Sequence, residues 1–375
     1  MTPDARTADS RREFLTGRSA ARAAESALAE AGGALLDTLG RPVPEAGPTV
    51  RLETRAMACQ WQVVLNPGPA SQVMHASDAL DLVQQLEDLL TVYRPDGHLA
   101  VLNAAAGEGP QAVEPLLLEA LSRSLRLAKE TGGAFDPTFG PLVAVWRACR
   151  EEGRVPDDAE IEEARSRCGL DRVRVDEDAG TVELEAGTEL NLGAFGKGFA
   201  LEKAAEFLAE QGVANFLIHG GASSVTARGV HVYDGGRVGG WPVGVRNPLV
   251  NRRRMMTLLL GDADEASARS MGTSGGNVQY FRVGGRRYGH ILDPRTGRPA
   301  EGLLSATVLT ADAGAADALS TACFVAGLET ARDWCKDATL TAVLTPPAAS
   351  RDVAPVLCGL PEDAVFRHDA EAAPA

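Results

Sequence analysis

Glu189-Leu190-Asn191-Leu192-Gly193-Ala194-Phe195-Gly196-Lys197-Gly198 breaks a short apolar run with three glycines and a lysine in its last six residues. Leu201, Ala204, Ala205 and Leu208 then recur at helical spacing, and Gly212 stands where a C-cap belongs. The pattern predicts a strand, a tight turn and a helix. A turn of this kind opens backbone N–H groups at a helix N-terminus, where a phosphate is favoured. Gly198 stands where Ser or Thr must follow the lysine of a Walker A loop, and the spacing is not G-x-G-x-x-G. The residues alone leave two readings open: a turn that lets backbone approach a phosphate, or a strand-to-helix turn with spare glycines.

Working outward, strands are expected at residues 50–52 and 57–65, the second ended by Asn66-Pro67-Gly68-Pro69. Ser77 is placed to cap a helix carrying Leu82, Val83, Leu86, Leu89 and Leu90. Residues 113–131 read as a helix with Leu117, Leu121, Leu125 and Ala128 on one stripe, closed by Gly132-Gly133. Asp157 and Glu160 form a capping-box pattern. Val173 and Val175 face Val182 and Leu184 across Asp178-Ala179-Gly180 as a hairpin. Beyond Gly212, strands are expected at 216–218, 242–245, 255–260, 281–283, 305–309 and 340–344, with an alanine-rich helix over 314–327. Strands and helices that do not strictly alternate indicate an α+β core.

A net charge of −14 argues against a nucleic-acid partner, which needs a basic face. No apolar run approaches the roughly 18 residues of a transmembrane span. Cys59, Cys149, Cys168, Cys323, Cys335 and Cys358 are widely separated with no C-x-x-C, so thiolate-metal and redox motifs are poor readings. Reduced thiols in a cytoplasmic protein is the favoured one. Ser10-Arg11-Arg12-Glu13-Phe14-Leu15 fits a twin-arginine export pattern. The apolar segment that should follow is interrupted by Arg18, Arg22 and Glu25. Export is therefore the minor reading. Residues 18–39 read as a surface helix, and Gly40-Arg41-Pro42-Val43-Pro44 as a linker.

Three further clusters could carry chemistry. Asp317 and Thr321 stand at i and i+4, so a helix projects both oxygens from one face. A carboxylate and a hydroxyl suit a hard cation such as Mg²⁺, although such a pair alone is more often capping or surface hydrogen bonding. In Tyr288-Gly289-His290-Ile291-Leu292-Asp293-Pro294-Arg295-Thr296-Gly297, His290 reads either as a general base near neutral pH or as a cap on the Asp293-Pro294 turn. Met271-Gly272-Thr273-Ser274-Gly275-Gly276 reads as a nucleotide contact or as a plain loop.

Taken in order, these segments resemble the ApbE family, the FAD:protein FMN transferases, over roughly residues 49–360. The resemblance runs through Tyr93-Arg94-Pro95-Asp96 to Leu102-Asn103 and Gly132-Gly133-Ala134-Phe135-Asp136-Pro137-Thr138, then Pro141-Leu142 to Trp146. It continues through Gly196-Lys197-Gly198, Gly220-Gly221 and Trp241-Pro242-Val243-Gly244-Val245-Arg246-Asn247-Pro248. It closes with Thr273-Ser274-Gly275, His290-Ile291-Leu292-Asp293-Pro294 and Asp317 to Thr321.

The resemblance implies a fold and a function. The fold would be a single ApbE-like, T-fold-related α+β domain with two subdomains over residues 49–365. Residues 1–48 would be an N-terminal extension and 366–375 a tail. The activity would be Mg²⁺-dependent transfer of FMN from FAD to a threonine hydroxyl of an acceptor flavoprotein, with release of AMP; Ca²⁺ is the alternative cation. Asp317, Thr321 and the Gly196 carbonyl would hold the metal, and His290 would be the base. Asn103, Phe135, Asp136, Lys197, Gly198, Gly221, Thr273, Ser274, Gly275, His290, Ile291 and Asp293 would bind the flavin nucleotide. Pyrophosphate cleavage needs charge neutralisation and alignment more than covalent help, which agrees with these residue types. Three positions depart from the family pattern: Asn191 for an Asp, Ala222 after the Gly-Gly pair, and Gly97 for a serine. Each removes a polar or acidic group, which favours binding over transfer. The competing functions are an FAD pyrophosphatase giving FMN and AMP, and a non-catalytic flavin-binding or delivery protein.

Overall fold

The structure, a computed structural model, describes residues 47–250, 253–261, 269–276, 280–336, 340–348 and 353–360, together with the backbone of 365–367. The twin-arginine-like segment, the helix expected over 18–39 and the linker after it lie outside the described residues.

One antiparallel sheet organises the chain. Its eight strands are β1 (Val50–Ala56), β2 (Cys59–Leu65), β3 (Phe216–Gly220), β4 (Ser224–Arg228), β5 (Arg269–Gly275), β6 (Ser305–Thr310), β7 (Thr341–Thr345) and β8 (Val356–Cys358). They lie side by side in chain order. Met57 and Ala58 join β1 to β2 with φ of 49° and 58°, and Ala56 pairs with Cys59. A two-residue turn with both φ positive matches the right-handed twist of its strands. β2 therefore starts at Cys59 rather than at the expected Met57.

The strands alternate, and each face buries a different core. Trp61, Val63, Leu65, Phe216, Ile218, Ala306, Val308, Ala342 and Leu344 face the helices. Val64, Leu217, Leu309 and Val343 face a second sheet built from Trp241–Arg246, Arg254–Leu260 and Val365–Arg367. Its third strand joins by the pairing of Thr257 with Phe366. The result is α+β, with three layers.

Eight helices are described: α1 (Ala70–Leu90), α2 (His98–Ala104), α3 (Pro115–Glu130), α4 (Gly140–Glu151), α5 (Asp158–Ser166), α6 (Gly196–Glu210), α7 (Ala313–Ala326) and α8 (Leu328–Trp334). Ser77 lies inside α1 instead of capping it. Pro69, at φ −63°, sets up the entry, and nothing from Ala70 to His75 opposes helix. Burying Leu80, Val83, Leu86 and Leu89 stabilises by about 1.5–3 kcal/mol per side chain. The Asp157–Glu160 capping box and the 173–184 hairpin form as the sequence predicts.

α1, α6 and α7 pack on the helical face of the sheet. Arg123 of α3 joins them: it pairs with Glu202 of α6 at 2.7 Å and with Asp312, the N-cap of α7, at 2.8 Å. A smaller core of Leu142, Trp146, Ile161, Ala164 and Leu292 gathers α4 and α5 against the segment after His290.

Candidate functional site

The site is built by the segment before α6. Residues 189–192 are not the strand the sequence predicts. Glu189 makes only an isolated parallel bridge to Phe139, and the next residues are clamped individually. The Asn103 amide donates to the Leu190 carbonyl at 2.9 Å and accepts from the Leu190 N–H at 2.8 Å. The Asn191 N–H donates to the Pro137 carbonyl at 2.7 Å, and its side-chain oxygen accepts from the Gly193 N–H at 2.8 Å. An asparagine serves this turn as an aspartate would, because only the acceptor oxygen is used. Held this way, the chain enters α6 at Gly196, so Gly196, Lys197 and Gly198 form the first helical turn rather than a loop before it.

α7 meets that turn. A Cβ on Gly198 would overlap the Ala313 carbonyl, and one on Gly272 of β5 would overlap the Ala316 carbonyl. Two glycines thus let α7 press against both α6 and the sheet. That contact places Asp317, 5 % exposed, opposite the open N–H groups of α6. The Gly198 N–H donates to Asp317 Oδ2 at 2.8 Å, and the Ser224 hydroxyl donates to Oδ1 at 2.7 Å. Burial raises the carboxyl pKa above its usual value, opposed by the Lys197 charge and then by these two bonds. One turn along α7, Thr321 Oγ1 lies 2.9 Å from Ser274 Oγ. Met271 to Gly275 is therefore part of strand β5, not a loop.

Asp317, Thr321, Lys197, Gly198 and Ser274 come together. The Thr273 N–H reaches across to the Ser223 carbonyl at 2.7 Å, and Gly275 pairs with Ser305. Gly221, at φ 62°, turns β3 into β4 and packs against Cys59, whose thiol feels both Lys197 and Asp317. Burial raises the Cys59 pKa more than Lys197 lowers it. Gly196 is the first residue of α6, in the turn whose Gly198 N–H reaches Asp317.

Other expected ligands have partners within the protein. Phe135 is 2 % exposed and packs in the helical core. Asp136 Oδ1 accepts from the Thr138 N–H and hydroxyl at 2.8 and 2.7 Å, and burial raises its pKa. The Asp293 carboxylate takes both arms of Arg295 at 2.9 Å. Arg295 also reaches the Val325 carbonyl at the end of α7, and Trp146 Nε1 donates to the Gly297 carbonyl at 2.8 Å. His290 is exposed on this clamped loop, followed by the buried Ile291 and Leu292.

Sequence reasoning missed Ser224 and Ser320. Their only signal is small polar residues at buried positions, which needs the fold to be seen. It also treated the cysteines as scattered. Cys323, Cys335 and Cys358 converge beneath α7 as free thiols. Burial pushes Cys323 and Cys335 up to about 12. Among the described residues no group of His, Cys, Asp and Glu is arranged to hold a metal by such side chains alone, and no helix is long and apolar enough to cross a membrane.

The comparisons agree with this architecture. The ApbE family model matches residues 57–344. An FAD:protein FMN transferase from Treponema pallidum is 35 % identical over 280 residues, covering 71 % of this chain and 75 % of the relative. One from Klebsiella pneumoniae is 33 % identical, covering 68 % of this chain and 76 % of the relative. The crystal structure of the ApbE protein from Thermotoga maritima superposes with a TM-score of 0.69 at 28 % identity, over 79 % of this chain and 94 % of that one. The flavin transferase ApbE from Vibrio cholerae gives 0.69 at 25 % identity, over 83 % and 98 %. With the family match covering more than half of the chain, both glycine contacts and the Asp317 site, this chain belongs to the ApbE family.

Proposed function

We propose that this chain is an FAD:protein FMN transferase, cleaving the FAD pyrophosphate, moving FMN to a threonine hydroxyl of an acceptor flavoprotein and releasing AMP. The observation that supports it most is Asp317: a buried carboxylate fixed by Gly198 and Ser224, beside Lys197 and one helical turn from Thr321. Two hydrogen bonds leave each carboxylate oxygen a further lone pair. With the Thr321 hydroxyl they form an all-oxygen donor set that fits Mg²⁺, or Ca²⁺ with looser geometry. The backbone carbonyl of Gly196, the first residue of α6, would complete the protein ligands. A cation held by Asp317 and Thr321 would neutralise the pyrophosphate charge that builds during cleavage.

The chain's own residues do the rest. Lys197 adds positive charge beside the carboxylate. Gly221 and the β5 residues Thr273 to Gly275 offer backbone and hydroxyls for the nucleotide. His290 takes the proton of the accepting threonine hydroxyl, on a loop positioned by the Asp293–Arg295 pair and by Trp146. Residues 49–365 form the catalytic unit in this reading. We place the reaction in the cytoplasm on cysteine usage and on the interrupted apolar segment after Arg11-Arg12, with export the minor alternative.

The test is incubation with FAD, Mg²⁺ and a candidate flavoprotein, following AMP release and the acceptor's mass. Transfer gives AMP together with an acceptor carrying FMN on threonine. AMP with an unlabelled acceptor makes the protein a pyrophosphatase. FAD binding without AMP makes it a flavin-binding protein.

A further inference from the structure

Three hydroxyls below Asp317 form a chain whose proton directions are fixed by counting. Ser320 Oγ donates to the Asp317 backbone carbonyl at 2.9 Å, and a carbonyl can only accept. A hydroxyl has one proton, so Ser320 has none left for Ser274, 2.9 Å away. Ser274 must therefore donate to Ser320. That commits the Ser274 proton, so in the remaining 2.9 Å contact Ser274 accepts and Thr321 donates. The direction runs from Thr321 to Ser274 to Ser320 to the Asp317 carbonyl. Its consequence lies at the first member: the Thr321 proton is turned toward β5, and its unused lone pairs are left on the face of α7 that carries the Asp317 carboxylate. A threonine ligates a cation through a lone pair. A proton aimed at the cation would oppose binding.

We propose that Ser320 and Ser274 are positioning residues that hold Thr321 Oγ1 as an acceptor toward a divalent cation beside Asp317. The inference rests on the cation site of the proposed function and adds two residues with no cation contact of their own. Ser274, expected from sequence to line a nucleotide pocket, gains a second role. Ser320, 1 % exposed, had none.

The test is Mn²⁺ binding to the full chain without FAD, followed by electron paramagnetic resonance, so turnover is not the readout. Ser320→Ala and Ser274→Ala should each weaken Mn²⁺ binding by about 10-fold or more, the effect expected for residues that orient a metal ligand. In a Thr321→Val background, with no hydroxyl to orient, neither should cause a further loss. Ser320→Thr should bind Mn²⁺ more tightly than its isostere Ser320→Val, since only the hydroxyl differs. Should Ser320→Ala fail to fold, Ser274→Ala, half-buried on a strand, carries the same test. Single variants within about twofold of wild type, or losses that persist unchanged in Thr321→Val, overturn the relay while leaving the cation site standing. Wild-type protein whose Mn²⁺ binding is indifferent to Asp317→Ala removes the cation site, and the relay with it.

Discussion

The Gly198 N–H, in the first turn of α6, donates a 2.8 Å hydrogen bond to the Asp317 carboxylate of α7, across 119 residues of sequence. The anion expected at this helix N-terminus is present, and it is the protein's own. The α6 dipole and the Gly198 amide favour a charge that burial alone would oppose.

Gly198→Ala should damage fold and site together. The added methyl meets the Ala313 backbone, which cannot move aside as a flexible side chain would. Overpacking of this kind costs about 1–3 kcal/mol. Urea unfolding should report the loss, and metal affinity should fall with it. A variant of wild-type stability would mean that α6 and α7 are less tightly apposed than described.

Asp317→Ala should abolish cation-dependent AMP release. It also strips the Gly198 amide and the Ser224 hydroxyl of their acceptor, a cost of about 1–3 kcal/mol for each group left unpaired. Thr321→Val, which removes a neutral ligand, should be milder in both respects. AMP release titrated against Mg²⁺, with thermal melts on the same preparations, checks both. An unchanged Mg²⁺ dependence in Asp317→Ala would place the cation elsewhere.

Acid should weaken the fold through His231. Its ring is buried, 4.6 Å from Tyr233 and 4.8 Å from Trp241, and its Nδ1 bonds Asn66. Burial, then the Arg51 charge, hold its pKa below the ordinary imidazole value. A depressed pKa means that the folded state favours the neutral ring. That stabilising contribution is complete above about pH 6.5 and is lost as pH falls through the lower folded value. His219 is shifted the same way, also chiefly by burial. Melting temperatures from pH 7.5 downward should fall less steeply in His231→Phe than in wild type. Parallel slopes would assign the acid sensitivity to other groups.

His290→Ala should cut transfer by roughly 10²–10⁴-fold while FAD affinity stays near normal, because a base acts on the chemical step. A purely structural His290 would loosen the loop ahead of Asp293 and lower affinity and turnover together. FAD titration and single-turnover AMP release on one mutant preparation separate the two.

Much of this was legible in local pattern. The α3 stripe, the Asp157–Glu160 box and the 173–184 hairpin depend on neighbours a few residues apart, so the chain states them directly. The i, i+4 spacing of Asp317 and Thr321 is of the same kind. Residues 189–192 misled because an apolar run resembles a strand when its clamps, Asn103 and Pro137, are distant in sequence. Ser77 misled because a good cap residue can stand inside a helix that already began at Ala70, after Pro69.

By itself the sequence determined the class of fold, the order of its elements and the oxygen-bearing pair on one helix, since each follows from periodicity and short-range hydrogen bonding. Only the tertiary structure decided what that pair faces. Gly198 and Gly272 are ordinary glycines until α7 lies against them, and Ser224 and Ser320 are ordinary serines until burial commits their protons to Asp317. Those contacts join residues far apart in the chain, and their energies come from close approach and desolvation, which exist only once the layers have packed.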